Sequence, residues 1–169
     1  MAPNRVNIGI VTDTPRPAPK RGHALRRGRF SSAGHSYLLT SVTHRRQAFF
    51  ADFASARIVA RSLTHFHRAG HCQSLAWVIM PDHLHWLVTL DTERSLSGLM
   101  RSFKTWTAHR LNLHADHAGR RVWQPGFHDH AVRRDEDLRA MARYVIANPL
   151  RAGLVSRVGD YPFWDAMWL

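Results

Sequence analysis

Within the segment Trp77-Val78-Ile79-Met80-Pro81-Asp82-His83-Leu84-His85-Trp86-Leu87-Val88-Thr89-Leu90, two histidines flank one bulky apolar residue. Side chains in a strand alternate between faces, so a strand here aims His83 and His85 the same way. Leu84, Trp86, Val88 and Leu90 then share the opposite face and can enter a core. A paired imidazole edge on a rigid strand is a sound platform for a metal ion. The spacing alone is weak, because 13 histidines produce three such pairs: His65/His67, His83/His85 and His128/His130. The first falls in a helical pattern, where residues two apart diverge by about 200°, and it is set aside. The third could be a short strand and stays in reserve. Only His83/His85 sits in a strand with a continuous apolar rear face, and without further support such a pair is more often a surface or core-edge feature than a metal site.

A second group of residues lies some sixty positions on. At about 100° per residue, Leu138, Met141, Ala142 and Val145 form one arc of a helix, with Tyr144 and Asn148 one turn apart at its margin. Tyrosine in that position is commonly a core-edge phenol with its hydroxyl in water. Asn148 before Pro149 can simply end the helix. A phenol and an amide stacked there could also face a metal held by a neighbouring strand.

The elements that must position these residues follow from periodicity. Residues 35–43 (with Tyr37, Leu38, Leu39 and Val42) read as a first strand. Residues 52–69 place Phe53, Ala56, Val59, Ala60 and Leu63 at helical spacing and end at Gly70. Strands over 72–80 and 83–90 are joined by the turn-forming pair Pro81-Asp82. Ser95 caps a helix whose buried stripe is Leu96, Leu99, Met100, Phe103 and Thr107. Residues 114–126 read as loop and 127–132 as a short strand. The last helix opens with Asp135, Glu136 and Asp137, acids that suit a helix N-terminus, and must stop near Asn148. The order β-α-β-β-α-β-α implies an α+β fold built on a central antiparallel sheet.

At 169 residues with 44% hydrophobic composition, the chain can bury one real core. Its net charge of +12 favours an anionic partner, with nucleic acid the first candidate. Half of that charge lies in residues 1–34, where Arg5, Arg16, Lys20, Arg21, Arg26, Arg27 and Arg29 face one acid, Asp13. With Pro3, Pro15, Pro17 and Pro19, this stretch reads as a flexible basic arm, either a phosphate clamp or a solubilising tail. Residues 35–169 form the folded domain. Cys72 is the only cysteine, which excludes an internal disulfide and a cysteine-based zinc cluster. No apolar run is long enough to span a bilayer and no signal-peptide core is present, so a cytoplasmic location is the default expectation, without a membrane partner.

Met80-Pro81-Asp82-His83-Leu84-His85, taken with Tyr144-Val145-Ile146-Ala147-Asn148-Pro149-Leu150-Arg151-Ala152-Gly153-Leu154, resembles the single-tyrosine HUH transposases, and among them the REP-associated tyrosine transposases. Gly126-Phe127-His128-Asp129 and Tyr161-Pro162 extend the resemblance, which runs from about residue 28 to 166. It implies a two-layer, ferredoxin- or RRM-like α+β sandwich around an antiparallel sheet. It also implies that His83 and His85 ligate a divalent cation, Mg²⁺ or Mn²⁺, that Asn148 is the third ligand and that Tyr144 is the nucleophile. Many relatives carry Asn where this chain has Asp82; the ligands survive that departure, but the turn or the local charge could change. The basic arm lies outside the resemblance.

On this basis the expected activity is metal-dependent cleavage and strand transfer on single-stranded DNA at hairpins, through a 5′-phosphotyrosine, with no small-molecule cofactor. Candidate DNA contacts are Arg101, Lys104, Arg110, Arg120, Arg121, Arg133, Arg134, Trp106 and Trp123, since basic and aromatic side chains together hold unpaired strands. Each also has an ordinary reading as a solvated arginine or a core tryptophan. The alternative functions are a silent module that binds hairpin DNA or RNA without cutting, and a histidine-rich metal protein with no nucleic-acid role. The wider class often forms dimers with shared sites, whereas the REP-associated branch favours a monomer.

Overall fold

The computed structural model describes residues 34–90, 95–133 and 137–168. The basic arm up to Ala33 lies outside them, as do Arg134, Asp135 and Glu136. The described chain runs β1 (Ser36–Val42), α1 (Phe53–Arg68), β2 (Gln73–Met80), β3 (His83–Thr89), α2 (Leu96–His114) and β4 (His128–Ala131), followed by α3 (Leu138–Ile146), α4 (Asn148–Arg151) and β5 (Trp164–Ala166). The strands form an antiparallel sheet in the order β4-β1-β3-β2-β5. The α+β class and the central antiparallel sheet are as the sequence implies.

Both long helices start where a side chain can accept from an orphan backbone N–H. Asp52 accepts from Ser55 N at 2.8 Å to open α1, and Ser95 accepts from Gly98 N at 3.0 Å to open α2. Gly70, at φ +69°, turns the chain out of α1 in a conformation that costs other residues a steric penalty.

The sheet buries both faces, and this decides where the site falls. On one face, Tyr37, Leu39, Ile79, Leu84, Trp86 and Val88 pack against Val59, Leu63 and Phe66 of α1 and Leu99 and Phe103 of α2. On the other, Val78, Met80 and Leu87 pack against Ala142, Val145 and Ile146 of α3. Trp86 is fully buried, and its indole N–H donates to Ser74 Oγ at 2.9 Å.

Two features depart from the sequence reading. Strand β5 was not expected. Its three residues are too few to show alternation, and it is held largely by tertiary contacts: Ile79 N donates to Phe163 O, and Tyr161 Oη donates to Ile79 O at 2.7 Å. The last helix also ends differently. α3 is capped by Asp137 and stops at Ile146, but the chain then makes one further helical turn through Pro149. Proline is tolerated there because it sits in the first turn of the new segment, where its missing N–H would have no partner anyway.

Leu84 separates the two histidines and is 1% exposed among α1 and α2 residues. Leu84→Ala is expected to lower stability by about 2–5 kcal/mol in urea unfolding, the usual range for a buried leucine whose cavity cannot collapse.

Candidate metal and nucleophile centre

Register places the two histidines under α3. His128, Thr40, His85, Val78 and Trp164 pair in one row across the sheet, so all five share a face. Val78 packs against α3, so His85 and its companion His83 lie on the α3 side. Their rings sit 4.8 Å apart between centroids and are nearly perpendicular.

Each imidazole is held through Nδ1. His83 Nδ1–H donates to Asp82 Oδ1 at 2.5 Å, and Arg46 Nη1 donates to Asp82 Oδ2 at 2.9 Å. Burial tends to raise the Asp82 pKa, but the hydrogen bonds from His83 and Arg46 outweigh it and hold the carboxyl below its ordinary value. His85 Nδ1 is hydrogen-bonded to Thr40 Oγ1 at 2.8 Å. With Nδ1 engaged in both rings, Nε2 is the ring nitrogen that each histidine has left for a cation. The residue types therefore fit the expected ligand set.

Burial first, then electrostatic interaction with His83 and Arg151, push His85 down to about 4 from its ordinary 6.5. A neutral imidazole is the form a metal needs. The same shift sets a stability trend. The folded protein binds fewer protons at His85 than the unfolded chain between about pH 6.5 and 4, so this residue's contribution weakens as pH falls through that window.

The turn carrying Asp82 is fixed from below. Thr43, fully buried, donates its backbone N–H to Asp82 O at 2.9 Å, and its hydroxyl lies within hydrogen-bonding distance of Asp82 O and Gln47 O. Phe50 N donates to Pro81 O at 2.9 Å. The intervening Arg45 and Arg46 adopt φ values of 54° and 53°, a left-handed conformation that arginine takes only under constraint. That constraint delivers the Arg46 guanidinium to Asp82.

α3, packed on the same sheet face as the histidines, and α4, which follows it, carry a phenol, an amide and a guanidinium. The Asn148 side-chain N–H₂ donates to Val145 O at 2.8 Å and, more weakly, to Tyr144 O at 3.4 Å. It thus caps the end of α3 and leaves Oδ1 as the acceptor side of the amide. Arg151 donates to Tyr144 O at 2.8 Å, and its guanidinium carbon lies 3.9 Å from the centre of the Tyr144 ring. Arg151 was absent from the sequence-derived candidates. Its signal was a spacing of seven from Tyr144, two turns along a helix, obscured because Asn148-Pro149 looked like a stop.

The chain has three tyrosines, and they are not equivalent. Tyr37 is 3% exposed, and the Tyr161 hydroxyl is spent on Ile79 O. Tyr144 is 59% exposed. Among the described residues, no three or more His, Cys, Asp or Glu are grouped to hold a metal ion.

The other candidates divide. His65 and His67 point apart in α1, as expected: His65 stacks on Trp106, and His67 Nδ1 accepts from Ser74 N at 3.3 Å. His128 and His130 do lie in a strand, on the same face as His85, but two strands away. That is about 10 Å of sheet, too far to share one ion. Trp123 is 6% exposed, with its indole N–H donating to Thr107. Lys104 also turns inward. It donates to Gln124 O at 2.6 Å and to Gly126 O, and burial lowers it to about 8. These two brace the loop before β4. Arg120 lies over the Phe49 ring at 4.6 Å. Arg101, Trp106, Arg110, Arg121 and Arg133 are exposed. Arg134 lies outside the described residues.

Residues 31–148 match the profile of the family described as "Transposase IS200 like". The chain is 35% identical over 89 residues to a REP-associated tyrosine transposase of Escherichia coli (strain K12), covering 52% of this chain and 50% of that protein. It is 24% identical over 143 residues to a putative REP-associated tyrosine transposase of Haemophilus influenzae, covering 79% and 80% of the two. Among solved structures, a REP-associated tyrosine transposase bound to a REP hairpin superposes with a TM-score of 0.68 at 26% identity, over 81% of this chain and 79% of that one. A putative transposase from Deinococcus radiodurans R1 superposes with a TM-score of 0.53 at 20% identity, over 73% of this chain and 96% of that one, and shares the fold.

Two outcomes are expected from the geometry of the pair. Asp82→Ala frees the His83 ring and should weaken Mn²⁺ binding about 10- to 100-fold in calorimetric titration, the usual effect of losing a ligand's outer hydrogen bond. In metal-free protein, the His85 ring resonances should stay flat from pH 8 to about 5 and move only near pH 4.

Proposed function

The chain belongs to the IS200-like transposase family, and we propose that it cuts and rejoins single-stranded DNA at hairpins, with Tyr144 as the nucleophile. The observation that carries this reading is the exposure of Tyr144, alone among the three tyrosines, on a helix packed over the face that holds His83 and His85. The relative bound to a REP hairpin supports a hairpin as the substrate form. The match with the Escherichia coli protein spans half of that protein's length, so the activity of a whole relative is offered here as a proposal.

His83 and His85 would hold a divalent cation, Mg²⁺ or Mn²⁺, through Nε2, with Asn148 Oδ1 as the third protein ligand. When bound, such an ion polarises a phosphate and offsets the charge that develops on it. Two imidazoles and an amide are neutral donors, so the ion's charge is left for the substrate. A carboxylate-free set is less typical of Mg²⁺ and compatible with Mn²⁺.

Tyr144 Oη would attack the scissile phosphorus, forming a P–O bond to tyrosine as the P–O3′ bond breaks. The strand upstream leaves with a 3′-hydroxyl, which takes up a proton, and the strand downstream stays on Tyr144 by its 5′-phosphate. Because the new ester keeps the phosphodiester oxidation state and bond type, a 3′-hydroxyl from another end can reverse the step. Arg151 supports the reaction in two ways. It fixes the Tyr144 ring by cation–π contact and brings a positive charge to where the phosphate must lie. Asp82 and Thr40 hold the two imidazole rings in orientation, which limits reorganisation when the site fills.

The test uses end-labelled single-stranded REP-type hairpins, with Mn²⁺. Wild type should nick them and retain label covalently, and Tyr144→Phe should do neither. The His83→Ala, His85→Ala double variant should lose cleavage yet keep most of its DNA affinity. Unchanged nicking by Tyr144→Phe would overturn the assignment.

A further inference from the structure

Helices α1 and α2 cover the sheet face opposite the histidine pair, and neither contains a single aspartate or glutamate. Arg57, Arg61, His65 and Arg68 recur along α1 at spacings of three and four, all exposed, while Ala56, Val59, Leu63 and Phe66 point into the core. On α2, Trp106 and Arg110 are one turn apart and also exposed. The two rows meet at a ring stack. The His65 imidazole lies on Trp106 with centroids 5.1 Å apart and planes at 12°, and the Arg110 guanidinium sits 5.6 Å from the Trp106 ring centre. The acids nearest in sequence among the described residues, Asp52 and Asp116, flank the end where α1 begins and α2 finishes.

Trp106 keeps 40% of its surface in water, although burying an indole is favourable and a neighbouring core is available. Arginines on acid-free helix faces repel one another and gain nothing for the fold. Together they form a strip of positive charge with a flat aromatic edge at its centre. That pairing suits a phosphate backbone whose unpaired bases can stack. An acidic protein surface would use the arginines and leave the ring stack without a role.

We propose that the outer face of α1 and α2 is a second nucleic-acid surface, one that holds single-stranded DNA flanking the segment being processed. In this assignment Arg57, Arg61, Arg68 and Arg110 contact phosphates, and the His65–Trp106 stack receives a base. The inference rests on the reading of the chain as a DNA-processing enzyme, but it concerns capture of the strand and not the chemistry. It also places binding residues on α1, where the sequence had suggested none.

The experiment measures anisotropy of a labelled, mixed-sequence single strand of about 30 nucleotides with the full chain, across a salt series. The variant Arg57→Ala, Arg61→Ala, Arg110→Ala should bind at least about tenfold more weakly, and its log–log salt slope should shrink by about 2, near 0.7 per lost phosphate contact. Trp106→Ala should weaken binding about tenfold with little change of slope; His65→Ala tests the stack without removing the indole. The α1 changes alone, Arg57→Ala with Arg61→Ala and separately His65→Ala, should leave the rate of cutting at saturating hairpin unchanged. Wild-type affinity and slope in the triple variant and in His65→Ala would overturn this surface while leaving Tyr144-dependent cleavage standing. Conversely, weakened binding without any Tyr144-dependent adduct in wild type would uphold the surface and remove the catalytic reading.

Discussion

Burial of Leu84, Trp86 and Val88 against α1 and α2 is the constraint on which the rest of this molecule depends. A strand with one face committed to a core cannot slip by one residue without turning its whole apolar set to the other side. The residues between them, His83, His85 and Leu87, are therefore fixed on the opposite face. There Leu87 packs against α3, the helix that carries Tyr144. The site is assembled because β3 is buried on both sides for different reasons.

The supports around the pair have a common logic. His83 is held by Asp82, which is held by Arg46, which is delivered by a backbone turn in the left-handed region. His85 is held by Thr40 from the neighbouring strand. Asn148 closes the end of α3 with its amide nitrogen, so its oxygen is aimed by the helix end itself. In each case the side chain that could meet a cation is oriented by an atom it does not need for that purpose. Asp82 adds a negative charge, but Arg46 and His83 both draw on it. The departure from the commoner Asn therefore changes the local charge less than the residue type suggests.

Legibility in the sequence followed the length and regularity of each signal. β3 was readable because its apolar residues alternate over eight positions, and α1 and α2 because their stripes run for four turns and begin at Asp52 and Ser95. β5 was not, because three residues carry no period and their strand state comes from pairing with β2. The supports were hidden for a related reason. Thr40 meets His85 only across the sheet and Arg46 meets Asp82 only across a turn, at sequence separations of 45 and 36. Lys104 and Trp123 show the converse: composition suggested DNA contacts, whereas the fold uses both to brace the loop before β4.

The central claim is that Tyr144, and no other residue, becomes joined to DNA. Mass spectrometry of peptides from wild-type protein trapped on hairpin DNA tests it most directly, since the three tyrosines fall in different parts of the chain. The peptide containing Tyr144 should carry a nucleotide attached through its 5′-phosphate, with Tyr37 and Tyr161 unmodified. A nucleotide on either of those residues, or on a serine or histidine, would contradict it.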